Sequence, residues 1–309
     1  MQTAQQNTNQ STPRPIIRHI LNTWTLIGYP SKQKEWSLEK KIRAAKNAGF
    51  DGISYRKPLE IKPLCDELGL VLITTLDLGE WNEVDTHLTM AKEAGCAAVN
   101  VHLLDHDTPT EIATPLAIKV IDTGERLGLN VAIEIHRDTC TETPEKAYAL
   151  AKAYEKLRGK PLPMTFDHSH PAVIKHLAPP YWDRLAERVD LIQHANQFHF
   201  RPFNGHHCQI PATFDGKRLT PEFEDWLEFV DKVLETWLEK AEPGRELFVV
   251  PEMGSGGYLL SVFPDVWKDT QVTRLEVDKL WRKHLRHWTP RAGKKVGVNP
   301  PMGRRSVNR

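Results

Sequence analysis

Four residues between positions 134 and 252 have the types and placement for metal chemistry: Glu134, Asp167, His199 and Glu252. Each closes a short apolar run, VAIE, LPMTFD, QFH and LFVVPE. Two further runs close in the same way, VNVH at His102 and TTLD at Asp77. An acid at a strand end often caps the following helix, and that is the plainer reading of Asp77. The four late residues form a set. Three carboxylates buried together would lose hydration and repel one another, and a divalent cation resolves that conflict. Three oxygen donors and one nitrogen suit Mn²⁺ as first choice, with Mg²⁺, Co²⁺ and Zn²⁺ also compatible. Around this set, His102 and His136 are candidate substrate contacts or supports for the ligands. Arg201 is placed to steady substrate oxygens. Trp24 offers an aromatic face of the kind that packs on sugars.

Such a set converges only if the runs are neighbouring strands of one sheet. Eight β-rich runs alternate with helical patterns. They are residues 21–27, 52–56, 71–78, 97–104, 131–136, 162–167, 196–200 and 246–252. The helices between them carry end signals. Ser37 precedes LEKKIRAAKNA and Gly49 follows it. Thr108-Pro109-Thr110-Glu111 reads as a capping box, with Pro115 restarting the helix after a turn. Thr143-Pro144-Glu145 opens another helix, and Leu227, Val230, Val233, Leu234 and Leu238 share one apolar face. Eight βα units predict an α/β fold, a (β/α)8 TIM barrel. An open doubly wound sheet is the competitor, but no glycine-rich phosphate turn follows the first run. In a barrel every strand end meets at one rim, where barrel enzymes hold their chemistry.

At these residues the chain resembles the xylose-isomerase-like TIM-barrel superfamily, in its sugar phosphate isomerase/epimerase branch. The resemblance spans roughly residues 18–290. It rests on SLEKKIRAAKNAGFDGIS (37–54), Glu134-Ile135-His136-Arg137, Asp167-His168-Ser169-His170, Phe198-His199-Phe200-Arg201-Pro202 followed by Gln209, and Pro251-Glu252-Met253-Gly254. The resemblance implies that Glu134, Asp167, His199 and Glu252 bind the metal. It implies that Glu134 and Glu252 also move protons from opposite faces of the substrate. It places His170 toward the substrate, with Arg201 and Gln209 nearby. The implied reaction is isomerisation or epimerisation of a sugar or related polyol ketone through a metal-stabilised enediolate. An alternative outcome of the same proton abstraction is a lyase or dehydratase acting on keto-inositols or 3-keto-glycosides. The superfamily's metal-dependent apurinic endonucleases are a remoter alternative. They need an Asp-x-His after the seventh strand, and here Asp215 is followed by Gly216-Lys217.

The remaining composition narrows the partners. Of 41 basic residues, Arg14 and six in the stretch 291–309 leave 34 against 40 acids in the body. A mildly acidic body argues against a nucleic-acid groove. No apolar run is long enough to span a membrane. The polar, uncharged start and four scattered cysteines fit a cytoplasmic protein with reduced thiols. The expected organisation is a disordered tail at 1–15, a catalytic barrel at 16–290 and a basic tail at 291–309. The expected partner is a small carbohydrate, and the Trp-rich helices and basic tail suit a homo-oligomer.

Overall fold

The computed structural model describes residues 12–290. The basic stretch 291–309 and most of 1–15 lie outside the described residues. Within 12–15, the Pro13 carbonyl accepts a hydrogen bond from Gly244 N at 3.1 Å, so this end is tied to the chain ahead of the last strand.

Eight parallel strands close a barrel in sequence order. They are β1 (Ile16–Asn22), β2 (Gly52–Ser54), β3 (Val71–Leu78), β4 (Ala98–Leu103), β5 (Val131–Ile135), β6 (Met164–Phe166), β7 (Gln197–His199) and β8 (Glu246–Val250). β1 pairs with β8, with Ile17 opposite Leu247, which removes both sheet edges. The open sheet is thereby excluded. Helices α1 (Leu38–Asn47), α2 (Pro58–Leu68), α3 (Glu83–Glu93), α4 (Thr110–Leu127) and α5 (Pro144–Arg158) follow the first five strands. Three short helices, α6 (Ser169–Ile174), α7 (Trp182–Leu185) and α8 (Val189–His194), lie between β6 and β7. Then come α9 (Pro221–Leu238) and α10 (Val266–Leu285).

The helix ends follow their local chemistry. The Ser37 side chain accepts from Lys40 N at 3.2 Å, and Thr143 accepts from Lys146 N at 3.2 Å. Two expectations fail. The capping box at Thr108 does not form, because the Thr108 hydroxyl donates to Asp105 Oδ1 at 2.7 Å instead. α4 also runs unbroken through Pro115. That proline stands in the second turn and removes one intrahelical bond, and the adjacent Thr114 hydroxyl donates to the Thr110 carbonyl at 2.6 Å. The first strand is also displaced from the expected 21–27. It ends at Asn22, and Thr23–Leu26 is a 3₁₀ turn whose Trp24 N–H donates to Asn22 Oδ1.

Strand parity builds two cores. On β5, Val131, Ile133 and Ile135 pack outward among the helices, while Ala132 and Glu134 have the opposite parity. β4 repeats this, with Val99, Val101 and Leu103 outward and Ala98, Asn100 and His102 inward. Ile20, Ile73, Ala98, Phe248 and Val250 form a separate apolar plug inside the barrel. Continuing the inward parity toward the strand ends gives Asn22, Asp77, His102, Glu134, Asp167, His199 and Glu252. The plug is the floor, and these polar groups are the layer above it.

Candidate metal centre and active site

One ligand atom each from Glu134, Asp167, His199 and Glu252 lies within 4.8 Å of the others. All four residues are buried, Glu134 and Asp167 completely. The Glu134 Oε2 atom accepts from Asn100 Nδ2 and lies 2.8 Å from His102 Nε2. Its Oε1 atom lies 2.8 Å from His199 Nδ1 without hydrogen-bond geometry. Asp167 Oδ1 accepts from Ser169 N at 2.9 Å, and Oδ2 lies 3.1 Å from Arg201 Nη2. Glu252 Oε1 accepts from Asn22 Nδ2 at 2.7 Å, and Oε2 accepts from Arg201 Nη2 at 2.7 Å.

Three buried atoms at this focus have no hydrogen bond: Glu134 Oε1, Asp167 Oδ2 and His199 Nδ1. Unpaired acceptors of this kind are costly in a dry interior. The charges point the same way. Three carboxylates face one buried guanidinium, Arg201, and the excess of two negative charges equals one divalent cation. Donor types, burial, convergence and charge therefore all fit a divalent ion.

The titration of the groups reflects this potential. Burial pushes His199 down, but the carboxylates of Glu134 and Glu252 outweigh it and hold the imidazole well above its usual range. His102 behaves alike. Burial opposes its charge, yet Glu134 and Asp77 lift it to about 9. Burial pushes Asp167 up to about 6, opposed by Arg201 and reinforced by Glu252 and Glu134. Burial also acts upward on Glu134 and Glu252. For Glu134, His199 and His102 hold the carboxyl well below its usual range, and for Glu252 His199 and Arg201 do so. The site thus draws protons onto two histidines to balance itself, the same charge that one divalent ion carries.

Of the remaining expected residues, Trp24, His102, His136 and Arg201 line a cavity of about 710 Å³, together with Glu252. His102 presents only its ring there, because Asp77 Oδ1 and Glu134 Oε2 occupy its two nitrogens at 2.8 Å each. His136 stacks on His102 with centroids 4.1 Å apart. Its Nδ1 lies 2.6 Å from the Arg137 carbonyl, so Nδ1 donates and Nε2 keeps a lone pair. Burial lowers its pKa to about 4, which keeps the ring neutral. His170 is buried beneath, edge-on to His136 and 3.3 Å from Asp167 Oδ2. Gln209 is spent elsewhere. Its amide donates to the carbonyls of Gly254 and Tyr258 and accepts from Gly254 N, so it pins the loop after β8. His206 and His207 are exposed.

Three supporting residues escaped the sequence reading: Asn22, Asn100 and Gln197. Asn100 and Gln197 each precede His102 and His199 by two residues. A polar side chain at an inward position of an apolar strand was the available signal. Gln197 Nε2 lies 2.7 Å from His199 Nε2. If Nδ1 is given to a metal, Nε2 carries the proton and the Gln197 amide turns its oxygen toward it.

No protein-family model and no curated protein matches the chain. Solved structures do. A D-tagatose 3-epimerase-like protein matches with TM-score 0.59 and 14% identity, over 87% of this chain and 99% of that one. A TIM-barrel protein from Mycobacterium smegmatis, solved with magnesium, matches with TM-score 0.55 and 14% identity, over 89% and 98%. A probable 3-DHS dehydratase of petrobactin synthesis from Bacillus anthracis matches with TM-score 0.54 and 13% identity, over 85% and 98%. The fold is a closed (β/α)8 TIM barrel, and these structures share it. Among the described residues, no helix of the barrel is long and apolar enough to cross a membrane.

The rim of the barrel is tightly packed at Gly254. A Cβ added there would lie 1.9 Å from Trp24 Cη2. Trp24 in turn stands edge-on to Tyr258 at 5.1 Å and lies beneath the Arg201 guanidinium at 5.5 Å. Gly254→Ala is therefore expected to push the indole out of place. The expected readouts are a shifted tryptophan emission spectrum and at least about tenfold lower turnover, with a folded far-UV spectrum.

Proposed function

We propose that this chain is a divalent-metal-dependent isomerase or epimerase acting on a sugar or related polyol ketone. The observation that carries this is the focus of three carboxylates and one imidazole beside a cavity of carbohydrate size. Glu134, Asp167, His199 and Glu252 are the proposed ligands, with Mn²⁺ the first choice. When bound, the ion supplies Lewis acidity to a carbonyl or hydroxyl of the substrate and so acidifies the neighbouring C–H.

The protein's own groups do the rest. Glu252 lines the cavity and takes the proton from carbon. Asn22 and Arg201 aim its two oxygens. Arg201 keeps Nε and Nη1 without partners and offers donors to substrate oxygens as charge develops. His136 Nε2 accepts from a substrate hydroxyl. Trp24 covers an apolar sugar face.

One observation supports the lyase reading as a second outcome. Glu134, the other expected proton carrier, is wholly buried, and its Oε2 is taken by Asn100 and His102. Inversion at carbon needs groups on both faces, whereas elimination or a 1,2-shift needs one base.

Deuterium wash-in tests the reading. Protein loaded with Mn²⁺ is incubated in D₂O with ketohexoses, keto-inositols and 3-keto-glycosides. Metal-dependent conversion is expected, either to an isomer carrying carbon-bound deuterium or to an eliminated product with a new double bond and the leaving group released. Neither exchange nor conversion in any of the three classes would remove the reading.

A further inference from the structure

The cavity is larger than the chemistry at its floor requires. A hexose has 12 heavy atoms, and even at a full water share of about 30 Å³ each they fill about 360 Å³. That is about half of the cavity's 710 Å³. The rest of the wall comes from another part of the rim. It is built by Ile27 and Trp36 in the connection after β1, Leu38 on α1 and Tyr55 after β2. The β1–α1 connection covers residues 23–37, far longer than the usual two to six residues in such units. A loop of that length in a compact barrel is a built feature. It carries Trp36, whose ring is fixed edge-on by Tyr29 at 4.9 Å and flanked by the Lys40 ammonium at 4.7 Å.

Charge narrows what this outer part accepts. Three cations line the cavity, and each already holds a carboxylate. Lys41 pairs with Glu35, Arg56 with Asp77, and Arg201 with Glu252. An anionic substituent would therefore meet no unbalanced positive charge in the wall.

We propose that the substrate is an uncharged carbohydrate bearing an apolar ring substituent, with the sugar over Glu252 and the ring between Trp36 and Tyr55. The inner half of this assignment rests on the proposed metal site; the outer half stands on the cavity wall alone. A free monosaccharide would leave the outer compartment filled with water, and a sugar phosphate would meet paired cations.

Binding, not turnover, tests this. Calorimetric titration of the Mn²⁺-treated full chain compares phenyl β-D-glucopyranoside, methyl β-D-glucopyranoside and glucose 6-phosphate. The phenyl glucoside is expected to bind at least about tenfold tighter than the methyl glucoside. Trp36→Ala and, independently, Tyr55→Ala are expected to erase most of that difference while leaving the melting midpoint and metal content unchanged. Equal affinity for the two glucosides, including no binding of either, overturns the proposal. So does tighter binding of glucose 6-phosphate than of the phenyl glucoside. Mn²⁺ content measured on the same sample separates the two readings. Metal bound without glucoside discrimination sinks only the outer compartment, and discrimination without metal sinks only the metal centre.

Discussion

Glu252→Gln is expected to lower turnover by about 10³-fold or more and to strip most of the bound metal. The substitution keeps the side chain's length and removes one negative charge. It also inserts an NH₂ group where only acceptors fit. Asn22 Nδ2 donates to one carboxylate oxygen and Arg201 Nη2 to the other, so either amide orientation sets a donor against a donor. The site then keeps two carboxylates against one arginine, and the charge deficit that calls for a divalent ion is halved. Glu252→Asp separates the two roles. It keeps the charge and withdraws the oxygens by one methylene, so metal content should survive while turnover falls by about 10²-fold. Metal content is read by elemental analysis and turnover on whichever substrate class shows deuterium wash-in. Turnover of Glu252→Gln within tenfold of the parent would remove Glu252 as the proton carrier.

The four converging residues were legible in sequence because each continues the inward parity of its strand at or just past the strand end. Ala132 then Glu134, and Val250 then Glu252, are the plainest instances. The periodicity that buries a strand also aims its end. What was not legible depends on contacts between distant segments. Gln209 follows the seventh strand, where a substrate contact was expected, yet its amide is spent on the 254–258 backbone. His102 ends its strand as expected, but its nitrogens are taken by Asp77 and Glu134 from neighbouring strands, and only the barrel's register brings those together. Asp77 itself, read as a helix cap, turns inward by parity. The β1 boundary was misplaced because LNTWTLI is equally rich in strand-forming residues on both sides of Asn22. The Asn22 side chain captures Trp24 N–H and turns the backbone there.

Metal uptake at neutral pH is expected to release at least one proton, and affinity to weaken about tenfold for each unit of falling pH between 8 and 6. The reason is the balance described for the metal-free site. Burial alone would keep His199 neutral, but the carboxylates of Glu134 and Glu252 hold its pKa well above the usual value. At pH 7 the metal-free imidazole is therefore protonated, and a metal can bind Nδ1 only by displacing that proton. Raising the pH through the elevated pKa removes the competitor, so affinity rises with pH and then levels off. His102 stands near 9 because Glu134 and Asp77 overcome its burial. Once Glu134 shares its charge with a cation, His102 loses part of that support, and the number released rises from one toward two. Calorimetric titration with Mn²⁺ in buffers of different ionisation enthalpy counts these protons directly. His199→Asn should bind metal weakly and release fewer protons than the parent, since an amide has no proton to surrender. Uptake by the parent protein with no proton release, or with an affinity flat from pH 6 to 8, would mean that His199 is not a ligand. The metal would then rest on carboxylates alone, with His199 kept as a protonated partner of Glu134 and Glu252.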